Sequence, residues 1–291
     1  MDDASANHSD FAPEVFGAAI QGQRSEQQDS IGSTWLPGDC AWLTIIADGL
    51  GGHVAGGVAS KIAVTAFIST FVAARSAGEM LSDAFSAALT EANSQIADAQ
   101  SKAPELSGMA TTLVAAYISS QGIAWISVGD SPLWLLRSGT LTRLNEDHSL
   151  RAMVADGLKA GGNILQSALT GAPIEMIDCR AEPVSLRGAD AIVIASDGLL
   201  TLSREEISDA VRKASVGGPE AVTRSLLKAV EGRRKPNQDN CSVIIALAPE
   251  AKTSGRVRRI LLIAATIAAI LAIATFVLVA TDTGLIPLSI K

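Results

Sequence analysis

Hydrophobic and polar positions along the chain change period several times, and each change predicts an element. Phe16 to Ile20 reads as a first short strand, followed by the polar loop Gln21 to Ser30. Trp42 to Ala47 is apolar except for Thr44, the pattern of a strand buried on both faces, so Asp48 is expected to leave the sheet at its end. Val58 to Ala74 contains neither Pro nor Gly and is broadly apolar, which predicts a mostly buried helix. Leu81, Phe85, Ala88, Leu89, Ala92 and Ile96 recur three and four apart, a second helix that ends before Pro104. From Thr111 the period shortens. Thr111 to Ile118, Gly122 to Val128, Leu133 to Arg137 and Thr140 to Leu144 are strands joined by hairpin-length links, an expected antiparallel meander. Residues 145 to 173 have weak periodicity and the pair Gly161-Gly162, the pattern of a lobe of short helix and loop. A strand near Ile174 to Cys179 leads to Ala191 to Ala195, which stops on Ser196-Asp197-Gly198. Ser203 with Glu206 is a capping-box signature for a helix through Lys213, Pro219 to Glu231 is a further helix, and Cys241 to Leu247 is the last strand. Hairpin links among mixed strands and helices favour an α+β domain, with the two helix pairs covering sheet faces.

Composition adds an appendage to this picture. Hydrophobic residues make up 48% of the 291 and charged residues 18%, and the apolar excess gathers near the C-terminus. Ile260 to Thr281 carries no charge, long enough to cross a hydrocarbon core about 30 Å thick. The reading is a loose tail over 1–12, a folded α+β domain over 13–249, a basic linker over 250–259, a transmembrane helix over 260–281 and a short tail over 282–291. Lys252, Arg256, Arg258 and Arg259 flank the span on one side and Lys291 alone on the other. That bias predicts a single-pass protein of the cytoplasmic (inner) membrane with its folded domain in the cytoplasm and residues 282–291 outside. Alanines at small-xxx-small spacing in the span are a weak signal for helix pairing. Net charge of -7 and the lack of a basic stripe in the first 230 residues argue against nucleic-acid binding. Cys40, Cys179 and Cys241 have neither zinc-type spacing nor a Cys-x5-Arg loop, so thiolate metal sites and cysteine phosphatase chemistry are disfavoured.

The candidate chemistry is carboxylate. Asp48, Asp130, Asp197 and Asp239 each sit at a strand edge. A lone Asp-Gly is a turn, but four such acids converging on one rim would repel one another and require positive charge to compensate. Oxygen ligands without nearby His or Cys pairs favour Mg²⁺ or Mn²⁺ over zinc. Glycines at 49, 51 and 52 are expected to take positive φ and bring carbonyls close to what Asp48 holds.

The segments Arg24-Ser-Glu-Gln-Gln-Asp29, Ala47-Asp-Gly-Leu-Gly-Gly-His53, Gly108-Met-Ala-Thr-Thr112, Val128-Gly-Asp-Ser131, Asp147-His-Ser149, Ser196-Asp-Gly-Leu199 and Asp239-Asn240 occur in this order. Over about residues 14 to 248 the chain resembles the bacterial form of the metal-dependent PP2C-type (PPM) protein Ser/Thr phosphatases. The resemblance implies a β-sandwich of two antiparallel sheets flanked by helix pairs, with two metal ions in a cleft at one edge. It implies that Asp48 bridges both metals, the Gly49 carbonyl binds one, Asp239 and Asp197 are terminal ligands, and Asp29 acts mainly through metal-bound water. Asp130 matches the acid that helps hold a third, weaker metal, and Arg24 the arginine that grips the substrate phosphate. A two-metal site lowers the pKa of a bridging water and clamps the phosphate for in-line attack. Gln27 stands where the family has Asn, Leu50 where it has Met, Pro132 where Arg is common, and Asn163 to Gly171 lacks the Thr-Arg-Ala-Leu wording. His53 reads as structural rather than a general acid, and His148 has no catalytic role. The expected activity is hydrolysis of phosphoserine and phosphothreonine in proteins, opposing a cognate bacterial Ser/Thr kinase. The alternatives are a catalytically weak phosphoprotein-binding regulatory module of the same fold and a small-phosphoester phosphatase.

Overall fold

A computed structural model describes residues 13–51, 54–149 and 165–249. The chain divides into two units, Met1–Pro249 and Glu250–Lys291, and every described residue belongs to the first. The transmembrane segment expected over 260–281, its flanks, the N-terminal tail, His53 and much of the lobe over 145–173 lie outside the described residues.

Strands β1 (Glu14–Ile20), β2 (Asp29–Leu36), β3 (Ala41–Leu50), β4 (Ala110–Thr111), β5 (Leu113–Ser119), β6 (Gly122–Val128), β7 (Leu133–Arg137), β8 (Thr140–Arg143), β9 (Asp178–Val184), β10 (Ala191–Ala195) and β11 (Cys241–Leu247) form two sheets. One runs β1-β11-β10-β7-β8 and the other β2-β3-β5-β6-β9, with β4 paired to β3. All these pairings are antiparallel. Helices α1 (Val54–Ser76) and α2 (Leu81–Lys102) pack on the second sheet, and α3 (Arg204–Ala214) and α4 (Gly218–Gly232) on the first. The α+β sandwich with two covering helix pairs is therefore present.

Three apolar layers hold it together. Ile46, Val114, Ile118, Ile123, Leu133, Ile192, Ile194 and Ile244 fill the space between the sheets. Phe67 and Phe71 of α1 and Phe85 of α2 are fully buried on the outer face of the second sheet, with the Phe71 and Phe85 rings 5.1 Å apart. Each such side chain contributes on the order of 1.5–3 kcal/mol of burial. By length and composition Ala55–Ser76 is also apolar enough to cross a membrane, yet here its aromatic face is spent on the core. The capping box of α3 forms as read, with the Ser203 side chain accepting from the Glu206 N–H at 3.2 Å and the Glu206 carboxylate accepting from the Ser203 N–H at 2.9 Å.

The fold corrects four expectations. The meander over 111–144 is two hairpins in different sheets, β5–β6 and β7–β8, because the chain crosses between sheets at Gly129 to Pro132. The strand expected over 174–179 lies further on, over Asp178–Val184, where β6 offers a partner edge. Strand β2 has no counterpart in the hydrophobic pattern. Its Gly32 obscures the signal, and a Cβ there would come within 2.7 Å of Val64 and Ile68, so the glycine is what lets α1 close on this strand. Finally, Asp48 does not leave the sheet: β3 continues through Leu50, with Asp48 in register with Asp29 and Gly49 with Thr111.

Candidate metal and phosphate site

The acids named from the sequence come together at the end of the sandwich where both sheets open. Asp29 begins β2, Asp48 lies opposite it on β3, Asp130 follows β6, Asp197 follows β10 and Asp239 precedes β11. Their mutual influence is visible in their acidity. The Asp48 carboxyl is held well above the usual carboxylate range by burial and then by Asp29, Asp197, Asp239 and Asp130. Burial pushes Asp29 up to about 6, against the pull of Ser196 and Ser242, and pushes Asp130 up to about 6 with help from Asp197 and Asp147.

The Asp48 backbone is fixed by the pair Thr111-Thr112. The Thr111 hydroxyl and the Thr112 N–H both donate to the Asp48 carbonyl at 2.9 Å, and the Asp48 N–H donates to the Thr112 hydroxyl at 3.0 Å. The expected reason for the following glycine needs correction. Gly49 has no positive φ, whereas Gly51 does, at 139°. Gly49 is required by space: a Cβ would lie 2.1 Å from the Gly56 carbonyl oxygen. The second Asp-Gly obeys the same rule, since a Cβ on Gly198 would lie 2.0 Å from the Asn240 carbonyl oxygen. Gly56 and Gly57 sit in the first turns of α1 despite a helix penalty of about 1 kcal/mol each, because the chain of β3 and the Gln27-Gln28 segment press against them.

Asn240 had no role assigned from the sequence, and it knits the site. Its side chain accepts from the Gln28 N–H at 2.8 Å and donates to the carbonyls of Gln21 and Glu26 at 2.8 and 3.0 Å. The loop carrying Arg24 is thereby tied to β11. Gln27, where the family has Asn, accepts from the Asp29 N–H at 3.0 Å and donates to the Ile20 carbonyl at 3.2 Å. The Ser196 hydroxyl donates to Asp29 Oδ2 at 2.7 Å. His148 is buried and structural, its Nδ1 accepting from the Gly129 N–H at 3.2 Å. The Arg24 guanidinium, half exposed, reaches Asp239 at 2.6 Å across the rim.

These residues fit an oxygen-ligated divalent cation. Asp29 Oδ1 is buried with no partner in hydrogen-bond geometry, and burial of several mutually repelling carboxylates is unfavourable unless a cation joins them. Among the described residues no three acid, histidine or cysteine side chains are already gathered on one point. Arg24 on Asp239 supplies part of the compensating charge.

The chain belongs to the protein phosphatase 2C family, whose model matches residues 16–231. It is 31% identical over 216 residues to the serine/threonine protein phosphatase PstP of Mycobacterium tuberculosis, covering 71% of this chain and 40% of that protein. It is 30% identical over 217 residues to the serine/threonine phosphatase stp of Listeria welshimeri, covering 70% of this chain and 83% of that one. A solved structure of the PstP catalytic domain in complex with two manganese ions superimposes with a TM-score of 0.68 at 27% identity, covering 82% of this chain and all of that one. The chain thus spans less than half the length of the mycobacterial relative and the whole of its solved catalytic domain.

Proposed function

We propose that this protein is a membrane-anchored phosphoprotein phosphatase that removes phosphate from phosphoserine and phosphothreonine with two divalent metal ions, Mn²⁺ or Mg²⁺. The observation that carries this reading is the meeting of Asp29, Asp48, Asp197 and Asp239 from separate strands at one rim, with Arg24 beside them. Asp48, the Gly49 carbonyl, Asp239 and Asp197 would hold the metals, with Asp29 acting at one remove and Asp130 helping to hold a third, weaker ion. When bound, the metals supply Lewis acidity that binds the phosphate and activates the attacking water. The chain's own residues do the positioning. Thr111 and Thr112 hold the Asp48 backbone still, Ser196 orients Asp29, and Arg24 offers a planar fork suited to a phosphate dianion once metal occupies Asp239.

The anchor is the span over 260–281. The basic residues at 252, 256, 258 and 259 support a cytoplasmic catalytic domain with 282–291 outside. An enzyme held so meets membrane-bound substrates, among them those of a cognate Ser/Thr kinase, at raised effective concentration. The test uses the full-length chain in detergent or vesicles with phosphoserine and phosphothreonine peptides. Hydrolysis is expected only with Mn²⁺ or Mg²⁺ and is abolished in Asp48→Asn. Full activity of that variant, or after exhaustive chelation, overturns the two-metal reading. Protease added to intact spheroplasts should spare the catalytic domain, and its digestion there reverses the topology.

A further inference from the structure

Continuous with the acid cleft lies a polar cavity of about 210 Å³ that extends past the proposed metal ligands onto residues with no role assigned so far. Asp197, Asp239, Leu200, Thr201, Lys235 and Asn237 line it. Lys235 and Asn237 belong to the basic segment Arg233 to Gln238. Arg233 is engaged by Glu206, but neither Arg234 nor Lys235 forms an ion pair among the described residues. Of these two, Lys235 lines the cavity, next to a site proposed to take a dianion.

The turn is built rather than loose. Arg234 and Asn237 are held at positive φ, 48° and 60°, a conformation that residues other than glycine rarely adopt. Buried Gln238 keeps it there. Its side chain accepts from the Thr201 hydroxyl at 2.7 Å and donates to the Gly198 carbonyl at 3.3 Å, its carbonyl accepts from the Gln23 N–H at 2.8 Å, and its N–H donates to the Lys235 carbonyl at 3.1 Å. The backbone of Lys235 is therefore held at a set place on the cavity wall, and its exposed side chain is free to reach an anion there.

We propose that this cavity is the subsite for a substrate residue next to the phosphorylated one, and that Lys235 makes the enzyme prefer a negatively charged side chain there. This inference rests on the phosphatase reading above. Because the cavity shares Asp197 and Asp239 with the acid cleft, and one extended residue spans only about 3.4 Å, its occupant lies within a residue or two of the phosphate. Leu200, an exposed apolar side chain lining the same cavity, gives that residue's methylenes an apolar rest while its charge meets the lysine. The charge can be a carboxylate or a second phosphate.

The test compares kcat/KM of the full-length enzyme with Mn²⁺ on phosphothreonine peptides that differ only at the flanking positions. These carry Ala, Glu, or a non-hydrolysable phosphonate analogue of phosphoserine. Wild type should favour the Glu or phosphonate peptide over Ala by about three- to fivefold, the size of one half-exposed ion pair, and the ratio should shrink between 0.1 and 1 M salt. In Lys235→Gln the ratio should fall to near one, and in Lys235→Glu it should invert. Each ratio is taken on one preparation, so partial loss of folded enzyme cancels. Which of the two anionic peptides shows the preference identifies the source of the charge. Equal rates on all peptides in wild type, or a ratio that both variants leave unchanged, overturns the subsite. Failure to hydrolyse any phosphopeptide instead overturns the phosphatase reading itself.

Discussion

Gly49→Ala isolates the packing on which the metal site depends. The added Cβ would stand 2.1 Å from the Gly56 carbonyl oxygen and 2.6 Å from that of Gln28, and Cβ atoms do not approach closer than 3.0 Å. Strand β3 and the first turn of α1 must therefore separate by about 0.9 Å at the residue whose carbonyl is proposed to bind metal. Metal sites tolerate displacements of only about 0.2 Å in ligand distance. Overpacking of this kind costs about 1–3 kcal/mol, which for a domain of this size lowers Tm by roughly 2–12 °C. The Mn²⁺ affinity should fall more steeply, by at least about tenfold. Thermal unfolding with and without Mn²⁺, and calorimetric titration of the metal, read the two effects separately. Gly38→Ala is the control, since a Cβ there meets nothing within 4 Å. A Gly49→Ala protein with wild-type Tm and wild-type Mn²⁺ binding would refute the close-approach argument.

Three further outcomes are expected. Arg24→Ala should mainly raise KM, as a loss of ground-state phosphate binding, while Asp130→Ala should mainly lower kcat; steady-state kinetics showing the reverse would mean the roles are misassigned. Asn240→Ala leaves the Gln28 N–H and two loop carbonyls without their partner, so urea denaturation should show a loss of about 1–3 kcal/mol, together with a raised KM as the Arg24 loop loosens. Burial lowers the His148 pKa, with Asp178, Glu146 and Asp147 opposing, so the native state holds it neutral. Its contribution to stability is complete above the unfolded value of about 6.5 and is lost as pH falls from there through the folded value. Asp29 and Asp130, pushed up to about 6, act with the opposite sign, so the readout is the difference between wild type and His148→Gln. Stability that falls equally in both between pH 7.5 and 5.5 would remove His148 as the cause.

Local periodicity was enough to place the buried helices, the strands over 122–128, 133–137, 191–195 and 241–247, and the capping box at Ser203, because in each the burial pattern repeats within a single element. The same holds for the acids. Asp48, Asp130 and Asp197 follow apolar runs and Asp239 precedes one, and that recurrence raised the expectation of a shared rim. What the sequence could not say was which strands pair. The split of residues 111–144 between two sheets, and the continuation of β3 through Asp48, depend on partner edges supplied by β4, β9 and β10, distant in sequence. The glycines show the limit most clearly. A positive φ is a local property and was expected at 49, yet the true constraint there is the Gly56 carbonyl arriving from the next helix. Asn240, Thr112 and Ser196 were legible only as members of the quoted segments, with no role attached. Their roles arise when residues far apart in sequence, Gln28 and Asn240, Asp48 and Thr112, Asp29 and Ser196, are brought within hydrogen-bond distance.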